Sequence, residues 1–86
     1  MATSNKTIVP LSAVPVGARA HVHGIAGGRE VLGRLATLGF TPGASLTMIQ
    51  NYGHGPLIVS IRDARIALGR GEASKVQVVL ENESSI

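Results

Sequence analysis

The sequence predicts a mainly β domain: a small, partly open barrel of about five short strands with one α-helix after the first of them. Three observations predict it. Val, Ile, Leu and Ala alternate with polar residues in several short runs, which is the period of half-buried strands. Only Arg29 to Leu38 follows a helical period instead. Although 44% of the 86 residues are apolar, Phe40 and Tyr52 are the only aromatic ones. Aliphatic side chains must therefore fill a small core, which suits a compact β body better than a ring-lined ligand cavity.

The elements follow in chain order. Residues 1–6 and 82–86 are polar and are expected to be disordered tails, with fraying from Glu81 to Ile86, and 1–86 is read as a single domain. Val14-Pro15-Val16-Gly17 suits a type I turn, with Pro second and Gly fourth. It feeds Ala18 to His23, where Ala18, Ala20 and Val22 alternate with Arg19, His21 and His23. These inward residues are mostly small, so something bulky must press on them. The next segment supplies it: Val31, Leu35 and Leu38 recur at helical spacing with Leu32 beside them, and Glu30 stands in the first turn, where it suits the positive helix end.

Gly39 lies just past that stripe, where a left-handed residue closes a helix, and Phe40 can fold back onto it. Thr41-Pro42-Gly43-Ala44 then places Pro and Gly at the central positions of a type II turn. The stretch from Thr37 to Leu46 is thus a helix-to-strand corner. Ala44 to Gln50 reads as a strand, Tyr52-Gly53-His54-Gly55 as a flexible loop, and Leu57 to Arg62 as a strand with Leu57, Val59 and Ile61 alternating. Arg62-Asp63-Ala64-Arg65 is a tight reversal into Ile66 to Leu68, since Asp tolerates the left-handed backbone of such turns. A short turn over Gly69 to Ser74 leads to a last strand with Val76, Val78 and Leu80 inward. Closing these strands into an SH3-like barrel limits unpaired edges.

Composition narrows the function. Eight Lys or Arg against five Asp or Glu leave a charge of +3, but the cations are scattered and lack stacking aromatics, so no nucleic acid is expected as partner. The absence of cysteine excludes disulfides, thiolate zinc sites and thiol catalysis. No aliphatic run approaches the ~20 residues of a membrane span, and Met1 to Lys6 lacks the apolar core of a signal peptide. A cytoplasmic protein without direct membrane insertion is expected.

No catalytic residue is predicted. There is no Gly-x-Ser-x-Gly elbow and no paired carboxylates, and Gly69 to Ser74 only begins like a dinucleotide fingerprint, with no room for the helix that must follow. The histidines are the sharpest chemical feature. His21 and His23, two apart on a strand, project from one face, and His54 on a Gly-flanked loop is a candidate third ligand for a late first-row metal. The plain reading is that all three are exposed polar residues, leaving weak Fe²⁺ or Zn²⁺ binding as the most a metal site would amount to, and no cofactor.

A family resemblance enters at this point. Leu11-Ser12 through Gly17 with Ala20 and Val22 is similar to the opening of the FeoA family, small companions of the ferrous iron transporter FeoB. Gly33-Arg34-Leu35-Ala36-Thr37-Leu38-Gly39-Phe40-Thr41-Pro42-Gly43 resembles its most distinctive motif, the corner ending Leu-Gly-x-x-Pro-Gly. Pro56-Leu57, Ile66-Ala67-Leu68 and Glu72-Ala73 followed by Val76 and Val78 continue the likeness to Glu81. Pro15 stands one place earlier than the usual Pro-Gly pair, and Asp63 occupies a hairpin position where the family often has Gly; both suit the same turns.

The resemblance implies a non-enzymatic cytoplasmic adaptor that docks on the cytoplasmic region of FeoB and supports Fe²⁺ uptake without carrying ions itself. Leu38, Phe40, Thr41, Pro42 and Tyr52 are the candidate partner-binding residues, and a homo-oligomer is compatible with this reading. Two alternatives stay open: a metal-binding sensor or chaperone using His21, His23 and His54, and an SH3-like peptide or nucleic-acid reader.

Overall fold

The structure, a computed structural model, describes residues 7–81, so the expected tails lie outside the described residues. Six strands form one antiparallel sheet: β1 (Ile8–Pro10), β2 (Arg19–Ile25), β3 (Ser45–Gln50), β4 (Leu57–Ile61), β5 (Ala64–Leu68) and β6 (Val76–Leu80). Their spatial order is β1-β6-β2-β3-β4-β5. Helix α1 (Arg29–Thr37) follows β2, a single-turn helix α2 (Arg70–Ala73) precedes β6, and a 3₁₀ turn covers Leu11–Ala13.

The sequence pattern accounts for most of this. Leu57, Val59 and Ile61 face the core along β4 while Ile58 and Ser60 do not, and Ala20 and Val22 do the same on β2. The buried cluster joins these to Leu11, Val14, Leu35, Phe40, Leu46, Met48, Leu68, Ala73, Val76 and Val78. No buried polar side chain lies among the described residues. At roughly 1.5–3 kcal/mol for each fully buried large aliphatic or aromatic side chain, this cluster is the main source of stability.

Four details depart from the sequence expectation. The strand count is six rather than about five, because Ile8–Pro10 pairs with β6 in the register Ile8 to Val79 and Pro10 to Gln77. Three residues are too few for a periodic pattern to announce them. The first turn is displaced by one position: Ala18 N–H donates to Pro15 O at 3.1 Å, and Gly17, at φ 89°, takes the third place of a type II turn. Gly69 to Ser74 contains the α2 turn, since Ala73 drops fully into the core and pulls its neighbours into helical geometry. Glu81, expected to fray, instead donates its N–H to Arg19 O at 2.9 Å.

A fifth departure is the reversal between β4 and β5, which is as tight as expected but stands one position earlier than Arg62-Asp63-Ala64-Arg65. Ile61 pairs with Ala64, so Arg62 and Asp63 alone make the turn, with φ of 52° and 65°. Both values are positive, as a type I′ hairpin requires.

Candidate docking surface

Helix α1 ends as a Schellman motif. Phe40 N–H donates to Leu35 O and Gly39 N–H to Ala36 O, both at 3.0 Å, and Gly39 sits at φ 107°. Leu35 and Phe40, both at 0% exposure, are the apolar pair that accompanies such a cap. The chain then turns through Thr41-Pro42-Gly43-Ala44, where Ala44 N–H donates to Thr41 O at 3.0 Å and Gly43 has φ 88°. That is the type II turn the sequence predicts. Two further bonds, Gly43 N–H to Val22 O and Val22 N–H to Ala44 O, stitch the corner to β2.

Gly39 also lies under an arginine. A Cβ built there would stand 3.4 Å from Arg62 Cδ, and Arg62 Nη2 donates to Thr41 Oγ1 at 3.1 Å. The β4–β5 hairpin thus holds the corner from above. A Gly39→Val variant is expected to lose about 2 kcal/mol, because a β-branched residue resists positive φ; urea denaturation reads the loss.

The candidate residues separate on inspection. Phe40, expected at the partner surface, is fully buried: it is the aromatic plug of the core, since the Schellman geometry swings it inward onto Leu35. Leu38 is 37% exposed, Pro42 is exposed and Thr41 half-buried. Leu32, which the helical period assigns to the buried stripe, is 42% exposed. A helix of nine residues meets the sheet through little more than one turn, so Leu35 enters the core, Val31 is half-buried, and Leu32 and Leu38, on the two flanks of Leu35, stay exposed.

Tyr52 is 71% exposed but belongs elsewhere. It lies beyond the far end of β3, and the six residues of that strand separate the two ends by about 17 Å at the usual rise. The loop that carries it was expected to be flexible, yet its backbone is tied down. Asn51 Nδ2 donates to Ser12 O at 3.1 Å and Val14 O at 2.9 Å, while its Oδ1 accepts from Gly53 N–H at 3.1 Å and Arg70 Nη2 at 2.7 Å. Arg70 adds Nε to Gly55 O at 3.2 Å and Nη1 to Ser12 O at 3.4 Å. One amide therefore joins the 3₁₀ turn, the Tyr52 loop and α2. The available sequence signal was the Asn two residues before a Gly, the mark of an Asx turn.

The histidines do not converge. His21 is half-buried and His23 exposed, on the outward face of β2 as expected, and His54 is exposed on the Tyr52 loop. Among the described residues, no three His, Cys, Asp or Glu side chains form a group able to hold a metal ion. His21 instead has Nδ1 3.8 Å from Glu81 Oε2. The two helices are linked by Arg34 Nη2 and Glu72 Oε2 at 2.8 Å. No helix among the described residues is long and apolar enough to cross a membrane.

Comparison with known proteins places this arrangement. A curated protein of Methanocaldococcus jannaschii, provisionally named Fe(2+) transport protein A, is 36% identical over 69 residues, covering 80% of this chain and 83% of that one. The crystal structure of an iron uptake regulatory protein, FeoA, superposes with a TM-score of 0.83 at 35% identity, covering 87% of this chain and 100% of that one. A Stenotrophomonas maltophilia FeoA, crystallised with zinc and described as a prokaryotic SH3 domain protein, gives a TM-score of 0.73 at 31% identity over 81% of this chain and 88% of that one. The FeoA domain model matches residues 9–80, nearly every residue that forms the sheet, the corner and the Asn51–Arg70 network, and the chain belongs to that family, the SH3-like accessory proteins of ferrous iron transport.

Proposed function

We propose that the chain is a non-enzymatic cytoplasmic adaptor that supports ferrous iron uptake by docking on the cytoplasmic region of a FeoB transporter. The observation that supports this reading is the exposure of Leu38 at the end of α1, with Leu32 on the same helix, next to a corner pinned by its own backbone hydrogen bonds. Apolar side chains left in water beside a fixed turn suit a surface that a partner covers. Pro42, exposed, and Thr41, half-buried, follow Leu38 along the corner. Tyr52, on the other side of β3, is a separate contact that only a partner reaching past the sheet would touch.

Capture of the co-expressed cytoplasmic region of FeoB tests the reading. Leu38→Ser and Leu32→Ser are each expected to weaken capture by about tenfold, the effect of truncating an apolar anchor at an interface core. Both residues are exposed, so the variants should keep the wild-type circular dichroism spectrum. Tyr52→Ala distinguishes a partner confined to Leu38 and the corner from one that reaches the far end of β3. If both serine variants are captured like the wild type, the docking face lies elsewhere.

The metal-binding alternative has its own test. Anaerobic calorimetric titration with Fe²⁺ or Zn²⁺ is expected to show no stoichiometric heat that His21→Ala and His23→Ala remove, because a tight site needs at least three converging protein ligands. A heat of that kind would replace the adaptor by a sensor.

A further inference from the structure

The outward face of the sheet carries a cross-strand row distinct from the α1 leucines. Arg19 pairs with Thr47, Thr47 with Ser60, and Ser60 with Arg65. Arg19, Thr47 and Ser60 stand next to buried residues along their strands and so point away from the core; Arg65, exposed and directly opposite Ser60, continues the row. An open groove of about 480 Å³ lies over this region, its polar lining formed by Arg19, Ser45, Thr47, Ser60, Arg62 and Asp63. Two guanidinium groups and three hydroxyls with no aromatic among them suit oxyanions, whereas a base or ring would find nothing to stack on.

The chain itself already brings a carboxylate here. Glu81 Oε1 lies 3.8 Å from Arg19 Nε; Oε2 lies 3.8 Å from His21 Nδ1 and accepts from Ser45 Oγ at 3.5 Å. Three donors converge on one acid, yet every contact is at the long limit and Arg19 is 62% exposed. Such contacts exchange readily, and a guanidinium reaches its full strength only at about 2.7–2.9 Å with both nitrogens engaged. Asp63 on the rim, next to Arg62, opposes a concentrated dianion more than a ligand whose charges are spread out.

We propose that this groove docks an extended acidic segment of a partner protein, whose carboxylates displace Glu81 from Arg19 and reach Arg65 along the row. Strands about 4.8 Å apart put three steps, Arg19 to Arg65, at about 14 Å, and an extended chain covers nearly that in four residues. Acids four apart therefore match Arg19, which lines the groove, and Arg65, which stands at the end of the row just beyond that lining. Only the identity of the protein that carries the segment rests on the adaptor reading.

The test is a titration of ¹⁵N-labelled protein with a synthetic peptide bearing glutamates at every fourth position of a Gly-Ser background. Amide shifts are expected at Arg19, Ser45, Thr47, Ser60 and Arg65. Arg19→Gln should weaken binding by about tenfold, and Glu81→Gln should tighten it by about threefold by removing the internal competitor. Glu30→Gln on α1, with the same change of net charge, should leave affinity unchanged. The proposal falls if the two glutamine variants at acidic positions behave alike, if shifts spread to Arg29 and Arg34, or if sodium phosphate at matched ionic strength reproduces the shifts. The titration contains no transporter, so its failure removes the groove and leaves the capture experiment standing, and the reverse also holds.

Discussion

Phe40→Ala is expected to lower stability by about 4 kcal/mol, the range for deleting a buried aromatic and leaving a cavity. Phe40 is the bulkiest fully buried side chain, at 0% exposure in a cluster otherwise made of aliphatics. The cavity cannot collapse easily, because the backbone on both sides is fixed: Phe40 N–H is held by Leu35 O, and Arg62 reaches over to Thr41. A domain of this size has a total stability of about 5–15 kcal/mol, so the loss takes a large part of the margin. Guanidinium denaturation monitored by circular dichroism measures it. Phe40→Leu, which refills most of the volume, should recover more than half. If Phe40→Ala costs less than about 1 kcal/mol, the ring is not the plug of the barrel and its place at a partner surface is restored.

Asn51→Ala is the second large effect, expected at about 3 kcal/mol. The substitution takes a donor from Ser12 O and Val14 O and an acceptor from Gly53 N–H and Arg70 Nη2. Part-buried polar groups left without partners cost about 1–3 kcal/mol each, with some of that recovered by entering water. Arg70→Ala should cost less, about 1 kcal/mol, since Asn51 keeps its bonds to the 3₁₀ turn. The double variant should fall short of the sum, because both residues belong to one network. Hydrogen exchange adds an independent readout: Gly53 should lose protection in Asn51→Ala, and amides of β4 should not. A double variant that loses the full sum of the two single losses would mean that Asn51 and Arg70 do not act as a unit.

These two residues mark the limits of the sequence reading. The corner was legible in detail, because Gly39, Pro42 and Gly43 are special for local reasons: each fixes a backbone angle, and the angle fixes the turn. Gly39 at φ 107° and Gly43 at φ 88° stand where the motif demands. The β4 pattern was legible for the same reason, since period two is a property of the strand itself. Phe40 was half legible. The cap contact onto the helix was foreseen, but burial depends on what lies on the other side of the ring, and no local rule contains that.

The candidate site shows the same division. Leu32 and Leu38 share the apolar stripe of α1 with Leu35, and a periodic pattern cannot say which of them the sheet reaches. The barrel wall is narrow, so only Leu35 reaches 0% exposure. Tyr52 was grouped with the corner because both are exposed and apolar, whereas the intervening β3 sends them to different ends of the molecule. Asn51 and Arg70 were missed altogether. Their bond joins positions 19 apart in the chain; the local signal at Asn51, a Gly two residues on, announces a turn and says nothing of Arg70.

By itself, then, the sequence determined the class of fold, the helix and its corner, a tight reversal through Asp63 to within one position, and the family, all of which depend on backbone preference and short-range periodicity. The tertiary structure alone decided which leucines remain outside, that Phe40 is sealed in, that Asn51 and Arg70 lock a loop rich in glycine, and that Glu81 comes to rest beside Arg19. Each of these is set by the way the sheet and the connections between its strands wrap one core, which brings distant residues to within hydrogen-bond or van der Waals reach, and contacts of that range leave no periodic trace in the chain.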